Sequence, residues 1–116
     1  MATIVATNIK SSGVITVTET TLDGTLDTFT YKDTVVQTLI FNNPTASPIT
    51  PVIDGAGSTT VSVDGIGSVD VSGGYSLGAI AAGATKAINT KSIREFLAGT
   101  IAINSGTGLV ATLIEY

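Results

Sequence analysis

Histidine, cysteine and tryptophan are absent from this chain of 116 residues, and Asp, Glu, Lys and Arg together make up only 12% of it. Without histidine, the usual general base and the commonest metal ligand are both missing. Without cysteine there is no disulfide framework, no thiolate nucleophile and no thiolate-held zinc, and the redox compartment stays open. A serine nucleophile would need another base, for which Lys86 and Lys91 are only nominal candidates. The expectation is a protein that is not an enzyme, with no catalytic residue, no metal ligand and no cofactor. The five basic residues (Lys10, Lys32, Lys86, Lys91 and Arg94) are scattered along a chain of net charge −4. Neutralising phosphates needs clustered cations, so nucleic acid is not expected as a direct partner. No apolar run approaches the roughly 20 residues of a membrane-spanning helix, so no membrane partner is expected either. The stretch Met1–Thr7 has no basic region ahead of a long apolar core, unlike a secretory signal. A soluble protein made inside a cell is expected.

What is present is apolar and small. The apolar share is 43%, ordinary for a globular protein, so the shortage of charge leaves a surface of Thr, Ser, Gly, Asn and apolar side chains. Such a surface suits burial against neighbours better than isolation in water, which points to a component of an assembly.

The chain is organised around Thr34–Val71. Val35–Phe41 is an apolar run that ends in Asn42-Asn43-Pro44, and Pro48 and Pro51 follow. Proline cannot donate to a strand ladder, so this stretch is expected to be a loop or a crossover between two sheets. Two similar turns, Asp54-Gly55-Ala56-Gly57 and Asp64-Gly65-Ile66-Gly67, alternate with Thr59–Val63 and Ser68–Val71. Alternating apolar and polar residues punctuated by Asp-Gly predict antiparallel strands and tight turns.

Ahead of this core, Val14–Thr20 predicts a strand because β-branched residues suit a pleated, half-buried surface. Asp23-Gly24 predicts a turn, and Asp27–Tyr31 another strand, making a meander with Val35–Phe41. Residues 1–12 are expected to be an extended N-terminal arm or an edge strand, and 13–116 a single β-sandwich domain. Further on, Thr85–Ile88 reads as a strand. The one short helix is expected near residues 91–98, with Thr90 as N-cap and Ile93, Phe96 and Leu97 on one face. Thr100–Ile103 and Leu109–Tyr116 read as a terminal hairpin joined by the turn Asn104–Gly108. Its last strand is apolar on both faces and is therefore expected to be central or covered by a neighbour. The fold class is all-β: an antiparallel β-sandwich or jelly roll of about eight strands.

Asp54, Asp64 and Asp70 lie near glycines and offer oxygen ligands, but their spacing does not make a calcium loop, and Asp-Gly is what a hairpin turn wants for backbone reasons. Gly55-Ala56-Gly57 and Gly65-Ile66-Gly67 lack the third glycine and the helix of a dinucleotide site. Tyr31, Tyr75 and Tyr116 are too few to suggest a stacking platform for sugars or bases.

Leu39–Thr45 followed by Thr50–Gly57 resembles small virion proteins of tailed bacteriophages, in which an apolar strand leads through Asn-Pro-Thr into a Val-x-Ile-Asp-Gly turn. Ala81–Ile88 and the terminal segment fit the same pattern. The resemblance implies a capsid decoration or cement protein, a homo-oligomer with a trimer favoured. Its partner would be the major capsid protein on the outside of a phage head, and it would be synthesised in the host cytoplasm. No catalytic residue is implied. A carbohydrate- or surface-binding sandwich, and a tail or head-completion protein, are the alternatives. The residues expected to meet partners are Ile4, Val5 and Ile9 of the arm, Asn43, Pro44 and Pro48 of the proline loop, and Leu113, Ile114 and Tyr116 of the end strand.

Overall fold

The computed structural model describes residues 2–10, 13–57 and 59–116; Met1, Ser11, Ser12 and Ser58 lie outside the described residues. The first half of the chain contributes β1 (Ala6–Asn8), β2 (Glu19–Thr21), β3 (Asp27–Phe29), β4 (Gln37–Asn42) and β5 (Val52–Gly55). The second half contributes β6 (Thr60–Val63), β7 (Gly67–Asp70), β8 (Tyr75–Ser76), β9 (Thr85–Asn89), β10 (Ile101–Asn104) and β11 (Val110–Glu115). One sheet runs β1-β11-β4-β9, with β2 also on β11; a second runs β3-β10-β5-β8; β6 and β7 form a ribbon of their own. The two larger sheets face each other as an all-β sandwich.

Strand alternation sets the core. In β4, Gln37, Leu39 and Phe41 are fully buried while Thr38, Ile40 and Asn42 are half-buried on the opposite face. Across the core, Phe29, Ile53, Ile101 and Ile103 project from the second sheet. Side chains on a strand point alternately to either side, so each sheet gives the core one residue in two.

Successive strands β2, β3, β4 and β5 alternate between the two sheets, which corrects the meander expected from the sequence. The proline loop is one of these crossovers. The expected terminal hairpin is likewise a crossover, since β10 lies in one sheet and β11 in the other. The β11 strand is central, paired with β4 on one edge and with β1 and β2 on the other. That double occupancy explains why the Val14–Thr20 strand shrinks to Glu19–Thr21. The β1 strand takes Leu113–Glu115, only Val110–Thr112 remains for β2, and Val14 and Val17 stand exposed.

Asp54-Gly55 is strand, not turn. All four residues of β5 pair with β10, and the turn falls on Ala56-Gly57. Glycine is required at 55 by crowding, because a Cβ there would sit 2.5 Å from the carbonyl oxygens of Phe96 and Ala98. The Asp64–Ile66 turn lies where the sequence places it, joining β6 to β7.

The expected helix is a 3₁₀ helix, Thr90–Phe96, kinked at Ile93 (φ −123°, ψ 26°). Its N-cap is Asn89, whose Oδ1 accepts from the Lys91 N–H at 3.0 Å, while Thr90 is buried and donates to the Gln37 carbonyl at 3.3 Å. The kink lets Ile93 and Leu97 both reach the core across the sandwich rim, and the Phe96 ring meets Tyr75 edge-on at 5.6 Å. Among the described residues no helix is long and apolar enough to cross a membrane.

Candidate docking face

The pairing register places alternate residues of the five-stranded sheet in rows across its outer face. One row is Thr7, Ile114, Thr38 and Asn89; the next is Glu19, Thr112, Ile40 and Ala87; the third is Thr21, Val110, Asn42 and Thr85. Residues opposite each other on paired strands share a face, so these twelve side chains lie on one side of the sheet, ten of them open to solvent in part or in full and Thr7 and Thr112 buried there. Glu19, at its margin, is the only charged member. Within the face, the Asn42 amide donates to the Thr85 hydroxyl at 2.9 Å, and Thr7 Oγ1 accepts from the Thr18 N–H at 3.1 Å. The surface mixes methyl and hydroxyl groups and has almost no charge to desolvate. It can meet another protein surface without stranding an ion.

The residues expected to meet partners fall into three places. Ile4 and Leu113 are corrected to core positions, 3% and 1% exposed. Ile4 is fixed there by the N-terminal segment, which is bound at both ends within its own chain. The Ile4 N–H donates to the Thr28 carbonyl at 2.8 Å on one sheet, and β1 then runs parallel to β11 on the other. Ala2–Asn8 thus closes one open side of the sandwich. Asn43 is also corrected: it is fully buried and organises the proline loop. Its Nδ2 donates to the carbonyls of Ser47 (2.8 Å) and Ile80 (2.9 Å), and its Oδ1 accepts from Thr45 N–H (3.0 Å) and Thr45 Oγ1 (2.6 Å). Asn43→Ala is expected to cost about 3 kcal/mol, because the loop loses the four hydrogen bonds that Asn43 makes at its centre and the Ile80 carbonyl keeps only its bond from the Ile49 N–H. Urea denaturation with an unchanged m value checks this.

The remaining positions are accessible. Val5, Ile9 and Tyr116 are exposed and Ile114 is half-buried on the docking face, so the structure brings Ile9, Ile114 and Tyr116 to one end of the sheet. Val36 joins them, exposed and paired through its backbone with Tyr116 in both directions. Pro44 and Pro48 are exposed beyond the opposite end of β4. The central residues of the face, Thr38, Ile40, Ala87 and Thr112, were not among the expected partners. Their one signal in the sequence is the two-sided apolar pattern of Leu109–Tyr116.

Polar chemistry elsewhere is absorbed by the fold. The Glu115 carboxylate is buried against Lys32 Nζ (3.2 Å) and Gln37 Nε2 (3.2 Å), and Gln37 also donates to the Thr30 carbonyl at 3.0 Å. Clefts of about 450 and 390 Å³ flank the N-terminal segment, the larger lined by Thr28, Thr30, Tyr31 and Thr100, the smaller by Val5, Lys32 and Glu115. The acids weighed as calcium ligands are apart, with Asp54 in β5, Asp64 in the ribbon turn and Asp70 at the end of β7. The Ser72 hydroxyl (2.7 Å) and its N–H (2.9 Å) hold the Asp70 carboxyl below the usual carboxylate range. Among the described residues no three of His, Cys, Asp and Glu group as a metal site.

No protein-family model, no curated protein and no solved structure matches the chain. Fold and face together define a β-sandwich that presents one nearly charge-free sheet surface.

Proposed function

We propose that this chain is a structural virion protein, a decoration or cement protein that binds the outside of a phage head and stabilises its lattice as a homo-oligomer, with a trimer favoured. The major capsid protein is the partner, and the outer face of the five-stranded sheet is the contact. The observation that carries this reading is that surface: three rows of Thr, Ile, Val, Ala and Asn with one acid at the margin. A reinforcing protein must add area to a crowded shell without bringing charge against it, and many identical weak contacts then sum to a firm hold. Catalysis has no part in this role. The carbohydrate-binding alternative is less well supported, because the larger cleft offers Tyr31 as its one partly exposed ring; Phe29 beside it is buried. Mixing the purified protein with heads of the same virus assembled without it tests the proposal. Saturable binding and a higher temperature of head disruption are expected. Absence of both, or capture by a glycan array instead, would sink it.

A further inference from the structure

Two features of the second half of the chain have an open strand edge among the described residues. The β6–β7 ribbon is hydrogen-bonded to neither large sheet, and each of its strands has an open edge among the described residues. Val61 and Val69 are paired across it on the face that also carries Val63, and Ile66 is 74% exposed at its tip. A lone two-stranded ribbon is marginal in water and gains most from a third strand. The second feature is β9, the end strand of the five-stranded sheet, paired with β4 on one side only. Thr85, Lys86, Ala87 and Asn89 on it are exposed.

The two are complementary in charge. Residues 59–76, spanning the ribbon, hold Asp64 and Asp70 and no cation, whereas residues 85–94 hold Lys86, Lys91 and Arg94, three of the five basic residues, and no acid. Lys86 sits on the inward side of the edge strand, opposite Phe41 in register, with its Nζ on the Leu77 carbonyl at 3.3 Å. An inward lysine on an edge discourages promiscuous strand addition but accepts a strand that brings a carboxylate.

We propose that β7 of one copy adds antiparallel to β9 of a second copy, with Asp70 opposite Lys86. That register sets Val69 opposite Ala87, so the valine face of the ribbon extends the outer face of the five-stranded sheet beyond Ala87 and Ile40. The contact is head-to-tail and every copy carries both halves, so it propagates from copy to copy, into a ring where the rotation between copies closes and into a filament where it does not. This inference goes beyond the docking reading and requires no shell.

Because the chain has no cysteine, the pairing can be trapped cleanly. Mixing Val69→Cys protein with Ala87→Cys protein under mild oxidation is expected to give a disulfide-linked dimer, with little from either alone and less from Val69→Cys with Thr85→Cys. In sedimentation experiments the wild type is expected to self-associate. Asp70→Lys should weaken that association about tenfold by opposing like charges, and adding Lys86→Asp should restore it. A wild type monomeric at every concentration would overturn the proposal, as would equal cross-linking in the shifted pair or an internal disulfide in the Val69→Cys/Ala87→Cys chain. Head binding retained by such a monomer would overturn the ribbon pairing while leaving the docking face standing.

Discussion

Phe41→Ala is expected to lower stability by about 4 kcal/mol and the melting temperature by about 15 °C. Phe41 is fully buried in the middle of β4, paired with Ala111 on one side and Lys86 on the other, and its ring lies in the shared core. Truncation forfeits the transfer free energy of the ring and leaves a cavity that the hydrogen-bonded strands around it cannot collapse to fill. A small domain has about 5–15 kcal/mol in total, so this substitution removes a large share of it. Thermal and urea unfolding of the purified variant check the value. A loss under 1 kcal/mol would show that the inner face of β4 is not the packed side.

One residue earlier on the same strand the expected consequence is opposite. Ile40→Lys should leave stability within about 1 kcal/mol of wild type, because Ile40 is half-buried on the outer face and a lysine stem can lie along neighbouring methyl groups with its ammonium in water. Binding to a shell should fall by about 30-fold or more, since docking would strand that ammonium in a surface with no acid nearer than Glu19. Titrating undecorated heads with wild type and variant in parallel measures the ratio. The two substitutions together separate folding from docking on adjacent residues.

Much of this fold was legible from apolar runs and turn residues. The apolar run Val35–Phe41, the two-sided apolar strand Leu109–Tyr116 and the Asp64–Ile66 turn lie where the sequence places them, to within two residues at the strand ends, because each is decided by its own residues. What the sequence hid was set by partners distant in the chain. Val14–Thr20 has strand chemistry throughout, yet β1 had already taken the edge it needed. Asp54-Gly55 has turn chemistry, yet β10 pairs through it and the Phe96 and Ala98 carbonyls require a glycine there. Ile93, Phe96 and Leu97 have helical spacing, but a short rim segment that must turn two apolar residues inward takes the tighter 3₁₀ path.

The docking residues were legible in part for the same reason. Tyr116 and Ile9 are open to solvent where residue type suggested, whereas Ile4, Asn43 and Leu113 turned inward because their strands or loop are pinned from both sides. No local signal distinguishes Ile40 from Leu39; only the register with β9 and β11 does.

The outer face of the five-stranded sheet is the proposed contact with a viral shell. The most direct measurement is the number of copies retained on purified heads incubated with wild-type or Ile40→Lys protein at matched concentration. Saturation by the wild type with the variant nearly absent is the expected result; equal occupancy by both, or no occupancy by either, would contradict it.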